Sequence, residues 1–451
     1  MQYLFLESSK YIIAILLMIY AISSISIFGA KKTGGKTAIA IIQNSVNILT
    51  VLVCCIHMML ISKNPMYLAV LIFILVSIFL FLFVTQSAFP ECNILLLNNF
   101  SMLVSCGLLI VSRISINKSF KQFIIVTVSF ALCIGMIFIF GKIKFFKKLT
   151  WCYAAIGLLL LSVVLVLGKI SHGSKLSISL GPVSVQPSEF VKLIFIFFLA
   201  SILWNELNFK KIIVSALIAA LYVGILVVSK DLGSALIYFV IYLFVLVIAT
   251  GNYIYMFAGL IAGAGASIIA YKIFSHVRVR VMIWQDPWPY IDNKGYQIIQ
   301  SLFSITSGGF FGTGLLEGTP TTIPFADTDF VFSVICEELG ILAGISILII
   351  SISSFVEMLR VSSKINDNFY KQIVYGIAVS LLFQAFLTVG GGIKFIPLTG
   401  VTLPLISYGG SSIMASTIMY FIVQSIYIRL RREDKVNLSS KKTKPKDEYS
   451  K

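Results

Sequence analysis

The sequence specifies an all-α polytopic membrane protein with about thirteen transmembrane helices, on three grounds. Of its 451 residues, 58% are hydrophobic and only 12% charged, with a mean hydropathy of +0.99, a balance no water-soluble domain requires. Apolar runs of about 20 residues, the length that crosses a hydrocarbon core, recur along almost the whole chain. These runs are continuous. They suit helices, whose backbone groups are satisfied within each segment, and not the short alternating strands of a membrane barrel.

In order, the runs lie near residues 11–30, 38–62, 67–87, 94–113, 121–141, 149–169, 190–206, 212–229, 234–250, 253–275, 330–358, 372–392 and 411–429. Residues 1–93 carry three of them and 94–431 the other ten. Residues 432–451 are Lys/Ser-rich with little apolar content, so they read as a disordered basic cytosolic tail. The first run, from Tyr11 to about Ala30, is too long for the core of a cleavable leader.

An odd number of crossings puts the two ends on opposite sides. The basic clusters "RLRREDK" after the last run, "KIKFFKK" at 142–148 and "KKTGGK" at 31–36 belong to the cytoplasm by the positive-inside rule. The N-terminus is therefore expected outside and the C-terminus inside. One loop, 114–120, must then face outward despite Arg113 and Lys118. The net charge of +17 needs no nucleic-acid partner, because Lys and Arg fall mostly in short loops and the tail.

The cysteines (Cys54, Cys55, Cys92, Cys106, Cys133, Cys152 and Cys336) lie mostly in apolar runs and show no ligand spacing. His57, His172 and His276 are scattered. Three outward segments are long or unusual: 169–190, 276–327 and 393–410. The middle one is a large extracytoplasmic loop, too long for a mere connector. Trp284 and Trp288 within it suit the membrane interface. Its Gly-rich end has no phosphate-loop pattern.

Charges inside apolar runs are costly and mark packing or function. Glu189 and Lys192 are three apart, share a helix face and can pair. They either fix packing or line an outward cavity. Asp231 suits the N-cap of the ninth run. The stretch "PFADTDFVFSVICEELG" holds Asp327, Asp329, Glu337 and Glu338. Thr328 is expected to cap the helix of the run 330–358, with Asp329 in its first turn at the outer mouth. Glu337 and Glu338 would then lie about 12 Å deeper and serve packing. Arg278, Arg280, Lys294 and Lys394 put positive charge outside, for headgroup contact or for a diphosphate.

"QPSEFVKL", "KDLGSAL", "GYQIIQSLFSITSGG", "TDFVFSVICEELG" and "PLTGVTLPLISYGGSS" occur in this order. Over about residues 94–430 the chain thereby resembles the SEDS family, the shape, elongation, division and sporulation proteins RodA, FtsW and SpoVE. The resemblance implies a ten-span core carrying three additional N-terminal spans. It implies a peptidoglycan glycosyltransferase that polymerises lipid II at the outer face of the bacterial cytoplasmic membrane, beside a class B penicillin-binding protein. The family's essential acid falls on Asp329, and its PSE-x-x-K element on Glu189 and Lys192. Gln297, in the "GYQIIQ" motif, joins Glu189, Lys192, Arg278, Arg280 and Lys394 as the expected substrate-binding set. Asp231, Glu337, Glu338 and Thr388 are expected to support it. A divalent cation, Mg or Mn, is implied by the resemblance alone. Two positions depart from the family pattern: "GSKLSI" stands where a GARRWI-like stretch is usual, with Ser177 in place of Trp, and Thr388 stands for Asn.

The reaction implied releases a diphosphate, which departs as an anion without protonation. One carboxylate as general base for the acceptor hydroxyl then suffices. Two other readings stay open at this stage: a flippase or transporter of lipid-linked precursor, and an inactive scaffold recruiting a penicillin-binding protein. No inverted repeat supports the former, and the altered GSKLSI stretch is the sole support for the latter.

Overall fold

The computed structural model describes residues 2–30, 33–140, 145–171, 174–180, 183–205 and 207–442. Seventeen α-helices are described. Helices α1 (Gln2–Ser26), α2 (Thr33–Ser62) and α3 (Met66–Phe79) come first. A π-helical stretch (Leu80–Val84) leads from α3 into the short α4 (Thr85–Ala88). Then come α5 (Ile94–Ile114), α6 (Ile116–Phe140) and α7 (Thr150–Leu167). A meander of β1 (Lys169–Ser171), β2 (Ser174–Leu180) and β3 (Val183–Val185) precedes α8 (Pro187–Leu203), α9 (Phe209–Val228), α10 (Leu232–Thr250) and α11 (Ile254–Ile273). The remainder is α12 (Ser275–Gln285), α13 (Tyr296–Gly308), α14 (Val331–Leu339), α15 (Ile341–Ser363), α16 (Asn368–Gly392) and α17 (Gly410–Lys442).

Each of the thirteen apolar runs becomes helix. Eleven described helices are long and apolar enough to cross a membrane. Thr150–Val166 is a shorter apolar helix, and α8 has 17 residues, about 25 Å at the helical rise. The chain is therefore a multi-pass membrane protein of all-α class. Side-chain caps start several helices: Asn93 accepts from Leu96 N, Asn208 from Lys211 N, Asp231 from Ser234 N and Asp367 from Phe369 N.

Helix α5 is the axis of the bundle, with 94% of its span buried. It packs against α2, α6 and α15. Helices α8, α10 and α16 pack together, and α17 packs on α6. Helix α11 is at the edge and buries no residue. The N-terminal helices join the same bundle, α1 on α15, α2 on α5 and α3 on α6. Polar contacts stitch this seam. Ser24 Oγ donates to Asn99 Oδ1 (3.1 Å), Asn98 Nδ2 to Gln43 Oε1 (2.9 Å) and Asn47 Nδ2 to Ser101 Oγ (3.2 Å). Between lipid-soluble helices such bonds supply association that apolar contact alone does not.

Four expectations need correction. The run 330–358 is not one helix: α14 ends and α15 begins at Gly340, whose φ is +86°. A Cβ there would lie 2.2 Å from the Phe310 carbonyl oxygen, so glycine alone permits this break. Glu337 and Glu338 thus end a short buried helix instead of lying deeper in a span. The loop 169–190 contains the antiparallel order β1-β2-β3, with Ser174–Leu180 forming β2, where apolar and Ser residues alternate from Leu176 on. The loop 276–327 contains α12 and α13 and two 3₁₀ turns, Trp288–Tyr290 and Pro320–Thr322. The tail does not lose order at 432, because α17 runs on to Lys442. Arg432 and Lys435 there pair with Glu91 at 3.6 and 2.9 Å, and Arg429 with Glu433 at 2.8 Å. Residues 443–451 lie outside the described residues.

Candidate functional site

At one end of the bundle, the start of α8, the start of α10, helices α12 and α13, the turn before α14 and the 393–410 loop surround a cavity of about 590 Å³. Its walls include Asp231, Arg280, Gln297, Asp329 and Lys394. Lys230, Lys294, Gln186, Trp284, Tyr408, Ser177 and Ser411 also face it. Among the acids and bases on this wall, four are cationic and two anionic, so the site favours an anionic ligand.

Asp329 does not sit in the first helical turn, as expected. The helix begins at Val331, and its N-cap, Phe330, makes no side-chain cap bond. The preceding segment is held instead by its neighbours. Phe325, at φ +62°, turns the chain, and its carbonyl accepts from Thr328 N (3.1 Å) and Phe330 N (3.3 Å). Thr328 Oγ1 donates to the same carbonyl and does not cap α14. Tyr408 N donates to Asp327 O (2.7 Å), and Ser407 Oγ to Thr328 O (2.6 Å). With its backbone committed to these partners, the segment cannot enter the helix. Asp329 is left half-buried on the cavity wall.

The other three acids of this stretch find partners from an unforeseen direction, two of them cations. Lys118 Nζ bonds Asp327 Oδ2, and Arg113 Nε reaches Glu338 Oε1 at 2.6 Å. Glu337 Oε1 accepts from Thr319 N at 2.7 Å. The two basic residues that broke the charge rule in the 114–120 region are thus the counter-ions of Asp327 and Glu338.

Helix α12 clamps the 393–410 loop onto the site. Arg280 Nη1 donates to Leu398 O (2.9 Å) and Trp284 Nε1 to Lys394 O (3.2 Å). Lys394, at φ +59°, reaches back to Gln285 O at 3.4 Å. Gly400, at φ +72°, lies beside both Asp329 and Arg280: a Cβ there would be 3.6 Å from Asp329 Oδ2 and 3.9 Å from Arg280 Nη2. Burial pulls Arg280 below the usual guanidinium value, and the charges of Asp231 and Asp329 oppose that shift. Arg280 is half-buried and stays cationic, and the two carboxylates offset part of the cost of its lost hydration.

Asp231 was expected as an N-cap and as a support for the site, not on its wall. It accepts from Ser234 N at 3.0 Å and from Ser188 Oγ at 3.1 Å, and it also lines the cavity. Burial raises its carboxyl above the ordinary range, against the lowering effect of those hydrogen bonds.

Glu189 and Lys192 form a buried pair at 2.9 Å, yet neither faces the cavity. Lys192 Nζ also donates to Gln384 Oε1 (2.6 Å), and Gln384 Nε2 donates to Thr402 O (3.0 Å). The pair is thus behind the wall and acts on it through Gln384. Thr388 does likewise, donating to Gln384 O and Val401 O. Arg278 is exposed and not on the wall, unlike Arg280. Sequence reasoning passed over Lys230, Gln186 and Tyr408 as site residues. Only Lys230 carried a local signal, next to the Asp231 cap, where its φ is +64°. Among the described residues no group of three or more His, Cys, Asp or Glu side chains is gathered to hold a metal.

Comparison with known proteins follows the same outline. The family model FTSW_RODA_SPOVE, described as cell cycle protein, matches residues 89–432. The peptidoglycan glycosyltransferase RodA of Mycobacterium tuberculosis strain H37Rv is 38% identical over 277 residues, 58% of this chain and 59% of that protein. This chain thus matches less than two thirds of that relative's length. The probable peptidoglycan glycosyltransferase FtsW of Coxiella burnetii is 30% identical over 350 residues, 74% of this chain and 94% of its own. A chain solved in a peptidoglycan synthase complex, in work on the coordination of polymerization and crosslinking, superposes with a TM-score of 0.64. It is 26% identical, with 74% of this chain and 97% of that one covered. RodA of Thermus thermophilus shares the fold, at a TM-score of 0.57 and 23% identity over 74% of this chain and 96% of that one.

Proposed function

The chain belongs to the family of FtsW, RodA and SpoVE cell cycle proteins, and on that premise we propose that it is a peptidoglycan glycosyltransferase polymerising lipid II. The observation that carries this reading is the half-buried carboxylate of Asp329 on the wall of a cation-rich cavity of about 590 Å³. The reaction joins C1 of a donor glycan to the 4-hydroxyl oxygen of an acceptor, with inversion. The bond from C1 to the donor's diphosphate breaks, and the electron pair leaves with the diphosphate. Asp329 accepts the hydroxyl proton as the nucleophile attacks. Arg280, Lys230, Lys294 and Lys394 receive the charge that develops on the departing diphosphate. Of these, Arg280 offers a planar pair of donors suited to phosphoryl oxygens. Gln297 and Asp231 supply neutral and acidic partners for the sugar hydroxyls.

A divalent cation belongs to the proposal through the family alone. Asp329, on the cavity wall, is the residue that would hold it. When bound it would neutralise the leaving group. No step above depends on it. The proposed setting is the bacterial cytoplasmic membrane, with the cavity on the outer side, the N-terminus outside and the C-terminus in the cytoplasm. A class B penicillin-binding protein is the proposed partner.

The test is polymerisation of labelled lipid II by the purified protein. Wild type is expected to yield glycan chains and Asp329→Ala none, with both proteins melting alike. Normal polymerisation by Asp329→Ala would refute its assignment as the base.

A further inference from the structure

Helices α1 to α3 lie outside the family match, which begins at residue 89, yet they touch the segment behind the site. The contact is made by His57 of α2, which is fully buried. Its Nε2 lies 2.9 Å from the Leu315 carbonyl oxygen, 258 residues on in sequence. Its Nδ1 lies 2.7 Å from Ser9 Oγ of α1. Because a carbonyl only accepts, Nε2 carries the proton in this contact. Tyr11 of α1 adds an edge-to-face contact with Phe311, at 5.0 Å between ring centroids.

The loop so grasped, residues 309–319, is wrapped around the C-terminal end of α14. Thr313 N donates to Glu337 O (2.9 Å), Gly314 N to Glu338 O (3.1 Å) and Thr319 N to the Glu337 carboxylate (2.7 Å). Its backbone is unusual: Gly312 and Gly314 have φ of +81° and +121°, and Leu316 is in the left-handed region at +67°. A non-glycine residue stays there only when its surroundings over-determine it. The carbonyl that His57 holds belongs to the peptide just before Leu316. On the other side of the loop stands α14, a nine-residue helix buried at every position, and Asp329 lies two residues before its first turn. The chain of contacts thus runs from α1 and α2 through this loop and α14 to the candidate base.

We propose that His57 is a positioning residue for catalysis, latching the loop 309–319 and through α14 fixing the place of Asp329. The helices that precede the family core are then part of the working enzyme. The proposal rests on the glycosyltransferase reading for its kinetic part alone.

The full-length protein in lipid nanodiscs, with labelled lipid II, decides it. The variants are His57→Phe, His57→Gln, His57→Asn and Asn47→Ala, the last cutting the same seam away from the loop. His57→Phe is expected to lower kcat by about 10- to 100-fold, the range set by a small displacement of a reacting group, with KM unchanged. His57→Gln, whose amide N–H reaches the Nε2 position, restores most of it. His57→Asn, whose shorter side chain does not reach, fails to. Asn47→Ala leaves kcat intact. Hydrogen exchange, which needs no activity, is expected to quicken in His57→Phe at residues 313–319 and 325–330. Wild-type kcat in His57→Phe overturns the proposal. So does an equal loss of kcat in Asn47→Ala, which would tie the loss to a loosened seam and not to the loop. If His57→Phe does not fold, equal activity of the Gln and Asn variants overturns it. A wild type that makes no polymer, combined with quickened exchange in His57→Phe, sinks the glycosyltransferase reading and leaves the latch standing.

Discussion

Removing Arg113 exposes what holds α14 in place. Its guanidinium Nε lies 2.6 Å from Glu338 Oε1, and the two side chains are 12% and 0% exposed. At an effective dielectric of about 20, opposite unit charges at that separation attract by about 6 kcal/mol. The lost hydration of both groups offsets much of this, so the pair is a weak net stabiliser. Its rupture is another matter. Arg113→Met strands a carboxylate that has no exposed surface, and such a break costs about 3–5 kcal/mol. The Gly318 carbonyl also loses the Arg113 Nη2 donor it now has at 2.9 Å. Followed by tryptophan fluorescence in detergent, the melting temperature is expected to fall by about 5 °C or more. Adding Glu338→Gln to Arg113→Met removes the stranded charge and is expected to recover more than half of the loss. A melting temperature for Arg113→Met equal to wild type would refute the reasoning. So would a double variant whose loss is the sum of the two single ones.

Lys192→Met is expected to cost about 3–5 kcal/mol, because among the described residues Glu189 pairs with no other cation, and Lys192→Met with Glu189→Leu to regain most of it in the same melt. Arg280→Lys removes the planar fork while keeping the charge; losing hydrogen bonds to a charged group of about 1.5–3 kcal/mol is expected to lower kcat/KM about 10- to 100-fold in the lipid II assay. Gly400→Ala forces a left-handed alanine at φ +72°, a strain of about 1–2 kcal/mol. Its methyl would make ordinary contact beside Asp329 and Arg280, so activity is expected to fall further than the small loss of melting temperature accounts for.

The apolar runs needed only length and composition to be read, because a hydrocarbon solvent forces each crossing to satisfy its own backbone. The sequence put Asp329 at the outer mouth of a span, and the structure puts it on a cavity wall, although not through its helix. The expected first turn failed because the carbonyl of Phe325 and the loop residues Ser407 and Tyr408 claim the backbone around it. Nothing local to "PFADTDFVF" reveals partners some eighty residues away. Similarly, Glu189 and Lys192 were rightly seen to share a face, but which side of the wall that face meets depends on Gln384, far along the chain.

Charge shows the same division. Composition alone dictated that each acid in an apolar run has a partner or a cavity, since an unpaired charge there costs too much. It could not say which. Arg113 and Lys118 looked like misplaced loop charges until α5 and α6 brought them to Glu338 and Asp327. What the sequence by itself determined is the set of segments that leave water and the residues that resist doing so. Those outcomes follow from local solvation and helix periodicity. Only the tertiary structure decided which of the resisting residues face one another and which face the cavity. That choice is made by side-chain packing between helices distant in sequence, and by the break that Gly340 allows between α14 and α15.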